Sequence, residues 1–387
     1  MKKIFRHFSD LKTKQKVKRI VALCLVLFAV ISWIVCANNS YIAEYVYARH
    51  LFVYLATLFT FITSIFPISF MEWGIALSPL ILIILIVILV LSLKKGYKLN
   101  KRKGLLKNLL EDFYVFVIIA AVFLNMYVLF CGVNYNRYDL AKNLSYDTSV
   151  TYTTDDLKEL CTYLATKANE AKENVTNDEN NLMYFDCTFD ELAKSGMENM
   201  LALSESYDCF KYIPCKPKSM FFSKIMSYAG FTGMYCCFTL EANINTDVCE
   251  FVIPYTICHE LAHTSGYIDE DEANFVSFLA CIYSDNPYYV YSGYVEALVY
   301  CHNELANQSK SAAYEVSDIM SAAVWADLLD QIEYNEEIEE SETAKKVEEA
   351  ATAANDSYLK STGQEAGVAS YDLVVELLLM WYYQTVN

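Results

Sequence analysis

Three uncharged apolar runs dominate the first third of the chain. They are Ile20–Ala43, which opens IVALCLVLFAVISWIVCA, then Trp73–Leu93 (WGIALSPLILIILIVILVLSL) and Phe113–Val133 (FYVFVIIAAVFLNMYVLFCGV). About 20 apolar residues in a helix cross the hydrocarbon core of a bilayer, so the runs predict transmembrane helices near 20–40, 73–93 and 113–133. The length of the first run, and the lack of a small-residue cleavage site before Tyr41, favour an uncleaved anchor over a signal peptide. Composition agrees: 55% hydrophobic and only 20% charged residues make an ordinary soluble chain unlike this one.

A fourth apolar stretch, Leu51–Phe66, is shorter and ends at Pro67. Charge decides how to read it. The tail 1–19 carries Lys2, Lys3, Arg6, Lys12, Lys14, Lys16, Lys18 and Arg19, and the loop after the second run carries Lys94, Lys95, Lys98, Lys101, Arg102, Lys103 and Lys107. Basic loops stay in the cytoplasm. Three crossings place both there and four do not, so residues 45–70 are expected to form an interfacial or re-entrant segment. The membrane region is then 20–133, and 134–387 form an extracytoplasmic domain on a multi-pass cell-membrane protein. That domain holds 14 Lys/Arg against 42 Asp/Glu, a net charge of −28, which repels phosphates and argues against a nucleic-acid partner. Its ten cysteines have no CxxC spacing, so pairing is not readable and buried thiols are an equal reading.

Along the outer domain, Thr153, Thr154, Asp155 and Asp156 cap a helix with Leu157, Leu160, Cys161, Leu164 and Ala168 on one face. A second amphipathic helix covers 188–206. Met234–Ile244 reads as a strand, and everything from Pro254 onward as helical. The acidic stretch 330–349 reads as a solvated helix face, and Leu373–Tyr383 as a core helix.

The informative segment is PYTICHELAHTSGYIDEDEANFVSFLA at 254–280. His259, Glu260 and His263 form HExxH, which on a helix brings both imidazoles to one face and one Zn²⁺. Glu260 is then placed to take a proton from a water at the ion. Pro254 suits the first helical turn and Gly266 the position just past its end. A third ligand should come from the next helix. Glu270, with Asn274 one turn on as an orienting residue, resembles the ExxxD helix of the gluzincin metallopeptidases with Asn for Asp. Glu272 is the alternative, and Asp269 a third, since HExxHxxGxxD also resembles the metzincin pattern.

These motifs resemble an uncharacterised bacterial family of membrane-anchored HExxH proteins catalogued as a domain of unknown function. The resemblance runs through PIS at 67–69, VNYNR at 133–137, SYAGFTGMYCCFTLEANIN at 227–245, HELAHTSGYIDEDEANF at 259–275, YSGYVEAL at 291–298 and NDSYLKSTGQEAGVASY at 355–371. It departs at Cys236-Cys237, where a Pro-Phe-like pair is expected. It implies a zincin-like fold with zinc, so with the apolar runs the expected architecture is three N-terminal transmembrane helices followed by a mostly helical α+β zincin-like domain with one Zn²⁺ per chain. The gluzincin likeness implies an edge strand around Glu241, Ala242 and Asn243 that pairs with an extended substrate. Tyr291, Tyr294 and His302 are candidates to stabilise an oxyanion. The expected function is a zinc-dependent peptidase acting on a peptide or protein outside the membrane. The alternative is a non-catalytic zinc-binding sensor or scaffold, in which four protein ligands would close the site. An intramembrane protease fits poorly, because Asp269–Glu272 follow the motif so closely.

Overall fold

Four helices are long and apolar enough to cross a membrane: α1 (Thr13–Ala37), α2 (Ile42–Ser64), α3 (Phe70–Lys98) and α4 (Lys101–Asn136). They belong to a computed structural model that describes residues 12–348, 352 and 371–386. Lys2, Lys3 and Arg6 of the basic tail, and residues 355–370 of the last resemblance motif, lie outside the described residues.

The segment expected to lie at the interface is thus a helix, beginning at Ile42 rather than 45 and ending at Ser64. Between α3 and α4 the backbone takes a φ of +43° at Lys101. The chain doubles back there: Ser92 Oγ donates to Asp112 Oδ2 (2.7 Å) and Asn108 Nδ2 to the Ser92 carbonyl (2.9 Å). In one straight helix residues 92 and 112 would stand about 30 Å apart. Helix α1 runs in the same direction as α4, since Gln15 Nε2 donates to Glu111 Oε1 (2.7 Å) and Asn125 Nδ2 to the Leu25 carbonyl (3.0 Å). The basic N-terminal end of α1 and the basic α3–α4 turn therefore share one end of the bundle, and Lys18 pairs with Glu111 at 3.5 Å.

Helix α2 turns Phe52, Ala56, Thr60 and Thr63 inward, while Tyr54, Leu58, Phe61, Ile62 and Ile65 are exposed. Both halves are bonded to the rest of the chain. Near its start, buried Glu44 accepts from Arg137 Nε (2.8 Å) and Arg49 Nε (2.7 Å). At its end, Lys218 Nζ donates to the Thr63 carbonyl (2.9 Å).

The rest of the chain is mostly helical. Helix α5 (Thr154–Lys172) opens on a reciprocal cap between Thr153 and Asp156, and α6 (Phe189–Ser206) on the same cap between Thr188 and Glu191. The α5 face bearing Leu157, Leu160, Cys161, Leu164 and Ala168 is buried, as its periodicity requires. A small sheet follows: β1 (Lys218–Ser219), a short helix α7 (Ser223–Tyr228), β2 (Gly233–Cys236) and β3 (Glu241–Ile244). The stretch Met234–Ile244, read as one strand, is a hairpin turned at Leu240, where φ is +50°. The strand order is β1-β3-β2, with β1 parallel and β2 antiparallel to β3. Helices α8 (Val252–Thr264), α9 (Glu270–Ile282), α10 (Pro287–Gln308), α11 (Lys310–Ser317), α12 (Ala322–Glu340) and α13 (Tyr371–Trp381) complete the domain. α10 packs on α5, and α13 buries Val374, Leu378 and Trp381 in the same core, the reading given to Leu373–Tyr383.

The sheet and α3 exchange carboxylates. Glu241 on β3 accepts from the Phe70 and Met71 amides at the start of α3 (3.0 Å each) and pairs with buried Lys218. In return Glu72, in the first turn of α3, accepts from the amides of Phe221 (3.1 Å) and Phe222. The Glu241 carboxylate thereby satisfies amides that have no intrahelical partner.

Candidate metal centre

α8 lies under the sheet and carries the HExxH residues. Pro254 sits in its first turn, where a missing N–H costs nothing. The helix stops just after His263 because Gly266 takes a φ of +90°, and a side chain there would also meet Phe52 at 3.1 Å. The reversal folds the Tyr267 carbonyl back to 2.7 Å from His263 Nδ1. A carbonyl can only accept, so Nδ1 carries a proton, and in the neutral form that a metal requires Nε2 is left with the lone pair. Arg137 pins this loop, donating to the Gly266 carbonyl (3.1 Å) and stacking 4.3 Å from the Tyr267 ring centroid.

α9 brings Glu270 to the Nε2 atoms of both histidines. Its Oε2 is 3.2 Å from His259 Nε2 and 3.5 Å from His263 Nε2, and the three ligand atoms lie within 4.8 Å of one another. A tetrahedral ion with bonds of about 2.1 Å separates its ligands by roughly 3.4 Å, which the two Glu270–histidine spacings match. Two imidazoles and one carboxylate also leave a tetrahedral ion an open position. His263 is buried, whereas the Glu270 side chain is 47% exposed and marks the open side. Burial opposes charge on both groups, yet their mutual attraction wins: His263 is lifted to about 9 and the Glu270 carboxyl is held far below the usual range.

Glu260 stands apart from this triad. It is buried, burial pushes its carboxyl up to about 7, and its Oε2 has no hydrogen-bond partner among the described residues. β2 covers it. A Cβ added at Gly233 would stand 2.4 Å from Glu260 Oε1 and 2.7 Å from Thr256 Cγ2, so only glycine admits the carboxylate. Two residues on, hence on the same strand face, the Tyr235 ring lies 6.0 Å from that of His263, and its hydroxyl donates to the Phe130 carbonyl (3.1 Å). Sequence reasoning missed both Gly233 and Tyr235. The one available signal was a lone glycine beginning an aromatic strand.

Other expected residues lie elsewhere. Glu272 points away from the cluster, accepts from the Leu140 amide (2.5 Å), and is raised to about 8 by burial and Asp269. Asp269 is the N-cap of α9 and outside the triad. Asn274 is buried one turn beyond Glu270, but its side chain makes no hydrogen bond to either histidine among the described residues; its carbonyl accepts from Tyr255. Glu241, Ala242 and Asn243 are not an edge. They belong to the central strand, with β2 along one side and β1 joining at Asn243 on the other, and Glu241 is committed to Lys218 and α3. The edge beside Glu260 is β2. Tyr291 is fully buried against Asp327, Tyr294 packs on Phe278, and His302 faces Ser317, so none reaches the cluster. Cys258 is turned into the core beside Cys281. All thirteen cysteines are free.

No curated protein and no solved structure matches this chain. A family model described as "Protein of unknown function (DUF3810)" matches residues 47–379, which takes in most of α2, the metal-site helices and most of α13. The chain belongs to the DUF3810 family.

Proposed function

We propose that this protein is a membrane-anchored zinc peptidase that hydrolyses peptide bonds on the extracytoplasmic side. The observation that carries the reading is the pairing of a compact His259–His263–Glu270 cluster with the buried carboxylate of Glu260, whose Oε2 has no partner among the described residues. His259, His263 and Glu270 would hold the ion. Bound there, zinc supplies a Lewis acid for a peptide carbonyl and for water. The chain supplies the rest. Glu260 takes a proton from the attacking water and returns it to the leaving amine, a role suited to a carboxyl raised toward neutrality by burial. The Tyr267 carbonyl holds the His263 tautomer. Full-length protein loaded with zinc is expected to cleave members of a mixed peptide library and to stop when the metal is chelated. A chain that binds zinc yet cuts nothing would favour the sensor or scaffold reading.

The fit of Gly233 against Glu260 yields a sharper expectation. Gly233→Ala should displace the carboxylate by about 1 Å, a misplacement that costs roughly 10²-fold in rate. Zinc content should stay at the parental level. Undiminished hydrolysis in this variant would remove the positioning role.

The helix directions support three crossings. α1 and α4 run parallel and α3 runs against them. A crossing by α2 would reverse α4 relative to α1. It would also put Glu44 and Thr63 on opposite sides of a core about 30 Å thick, although both are bonded to one domain. With the shared basic end cytoplasmic, α2 lies along the outer surface and the zinc domain stands outside. Reporters fused at Lys101 and Asn335 are expected inside and outside the cell, respectively. Asn335 found inside would sink the three-crossing topology.

A further inference from the structure

The peptidase reading leaves its substrate open. The sheet that covers Glu260 stands on the outward ends of α3 and α4. Phe238, just past β2, packs edge-on against Phe123 of α4 with ring centroids 5.4 Å apart. Tyr235 reaches the Phe130 carbonyl, Glu241 caps α3, and Trp73 of α3 packs 6.2 Å from Phe221 and 6.0 Å from Phe222. The same strand therefore touches the general base at one end and the top of an apolar helix at the other. From Gly233 to Phe238 is at most about 17 Å of extended chain.

β2 is also the edge of its sheet. β3 pairs with one side of it, and no strand pairs with the other among the described residues. Gly233 and Tyr235 face the metal helix, and Met234 faces an apolar cluster with Met71, Met220 and Met226. Phe238, just past this strand, is 39% exposed, and on the β1–β2 connection Phe221 (75%), packed on Trp73 of α3, and Ile225 (54%) are exposed as well. Aromatic side chains exposed next to apolar helices are the composition of a bilayer interface. An open strand edge accepts an extended peptide through backbone hydrogen bonds.

Building on the peptidase reading, we infer that the polypeptide cut here is itself held in the bilayer. Its juxtamembrane segment leaves the membrane beside α4 and pairs with the free edge of β2. It presents a bond to Glu260 within about six residues of the surface, or roughly 20 Å of extended chain. In the reaction the peptide C–N bond breaks and a C–O bond to water forms. One water proton travels through Glu260 to the departing amine, leaving a carboxylate and a free amino terminus. Anchoring gives the segment a high local concentration at the edge strand, an advantage of about 10²-fold or more without any added contact.

The test uses the zinc-loaded full-length chain in phosphatidylcholine–phosphatidylglycerol vesicles. One substrate is a randomised segment of about ten residues, long enough to run the length of β2, fused to a single apolar transmembrane helix. The second is the same library as free peptides. A third carries a Gly/Ser spacer of about ten residues between helix and library. Mass spectrometry reads the positions of the cuts. The tethered library is expected to be cut at least about 10²-fold more efficiently than the free one, at sites clustered near the membrane. With the spacer in place, efficiency should fall and the remaining cuts should shift toward the membrane-proximal side. Equal cleavage of free and tethered libraries, or cuts that ignore the spacer, would overturn this inference and leave the peptidase intact. Cleavage of none of the three would overturn both.

Discussion

Glu260→Gln is expected to bind zinc as the parent does and to lose peptide hydrolysis by about 10²–10⁴-fold, the usual weight of a general base. The substitution keeps size and hydrogen-bonding capacity and removes only the carboxylate that can hold a proton. The surroundings make this a clean experiment. Glu260 Oε2 has no partner among the described residues, so the amide strands no donor that depended on it. Zinc content by elemental analysis and hydrolysis of a cleaved library member are the two measurements. Full activity in Glu260→Gln would end the proposed mechanism.

The second large effect is on the metal itself. The purified chain should hold about one zinc, as a single three-ligand site implies, and His259→Ala or His263→Ala should abolish it. Glu270→Gln should weaken binding, because a neutral amide replaces an anionic donor at the centre of the triad. Glu272→Gln is the control. Its carboxylate faces the Leu140 amide, so zinc should be retained. Retention of full zinc by both histidine variants would refute the site.

How legible all this was in the sequence depended on range. Spacing along one helix was readable: His259 and His263 are i and i+4 and share a face. Glu270 and Glu272 could not be separated by composition, since both lie in the first turn of α9. Two residues rotate a helical side chain by about 200°, which sends one to the imidazoles and the other to Leu140. The mostly helical character of residues 134–387 was readable from periodicity, and of the small sheet only one strand, which is in fact a hairpin. The strand order was not, because β1 and β3 pair across the intervening α7 and β2. That pairing is what turned the expected substrate strand at Glu241 into the interior of the sheet. Tyr291 and Tyr294 failed for a related reason. Proximity to a motif in sequence says nothing about which side of α10 a tyrosine occupies. Apolar length identified α2 but not its attachment, which rests on Glu44 finding Arg137 far along the chain.

The exchange of carboxylates between Glu72 and Glu241 leaves this molecule without a natural seam. Cutting the chain at residue 134 would strip Lys218 of its Thr63 and Ile68 carbonyls, and Arg137 of Glu44. Arg137 thereby loses its carboxylate partner, which costs about 3–5 kcal/mol, while Lys218 keeps only Glu241. The order of biogenesis follows. The helix whose first amides Glu241 needs must be threaded into the lipid before the sheet that roofs Glu260 can settle. A chain that has not yet reached its membrane would therefore carry the HExxH helix without its roof, and on the proposed peptidase function it would stay harmless until it has arrived.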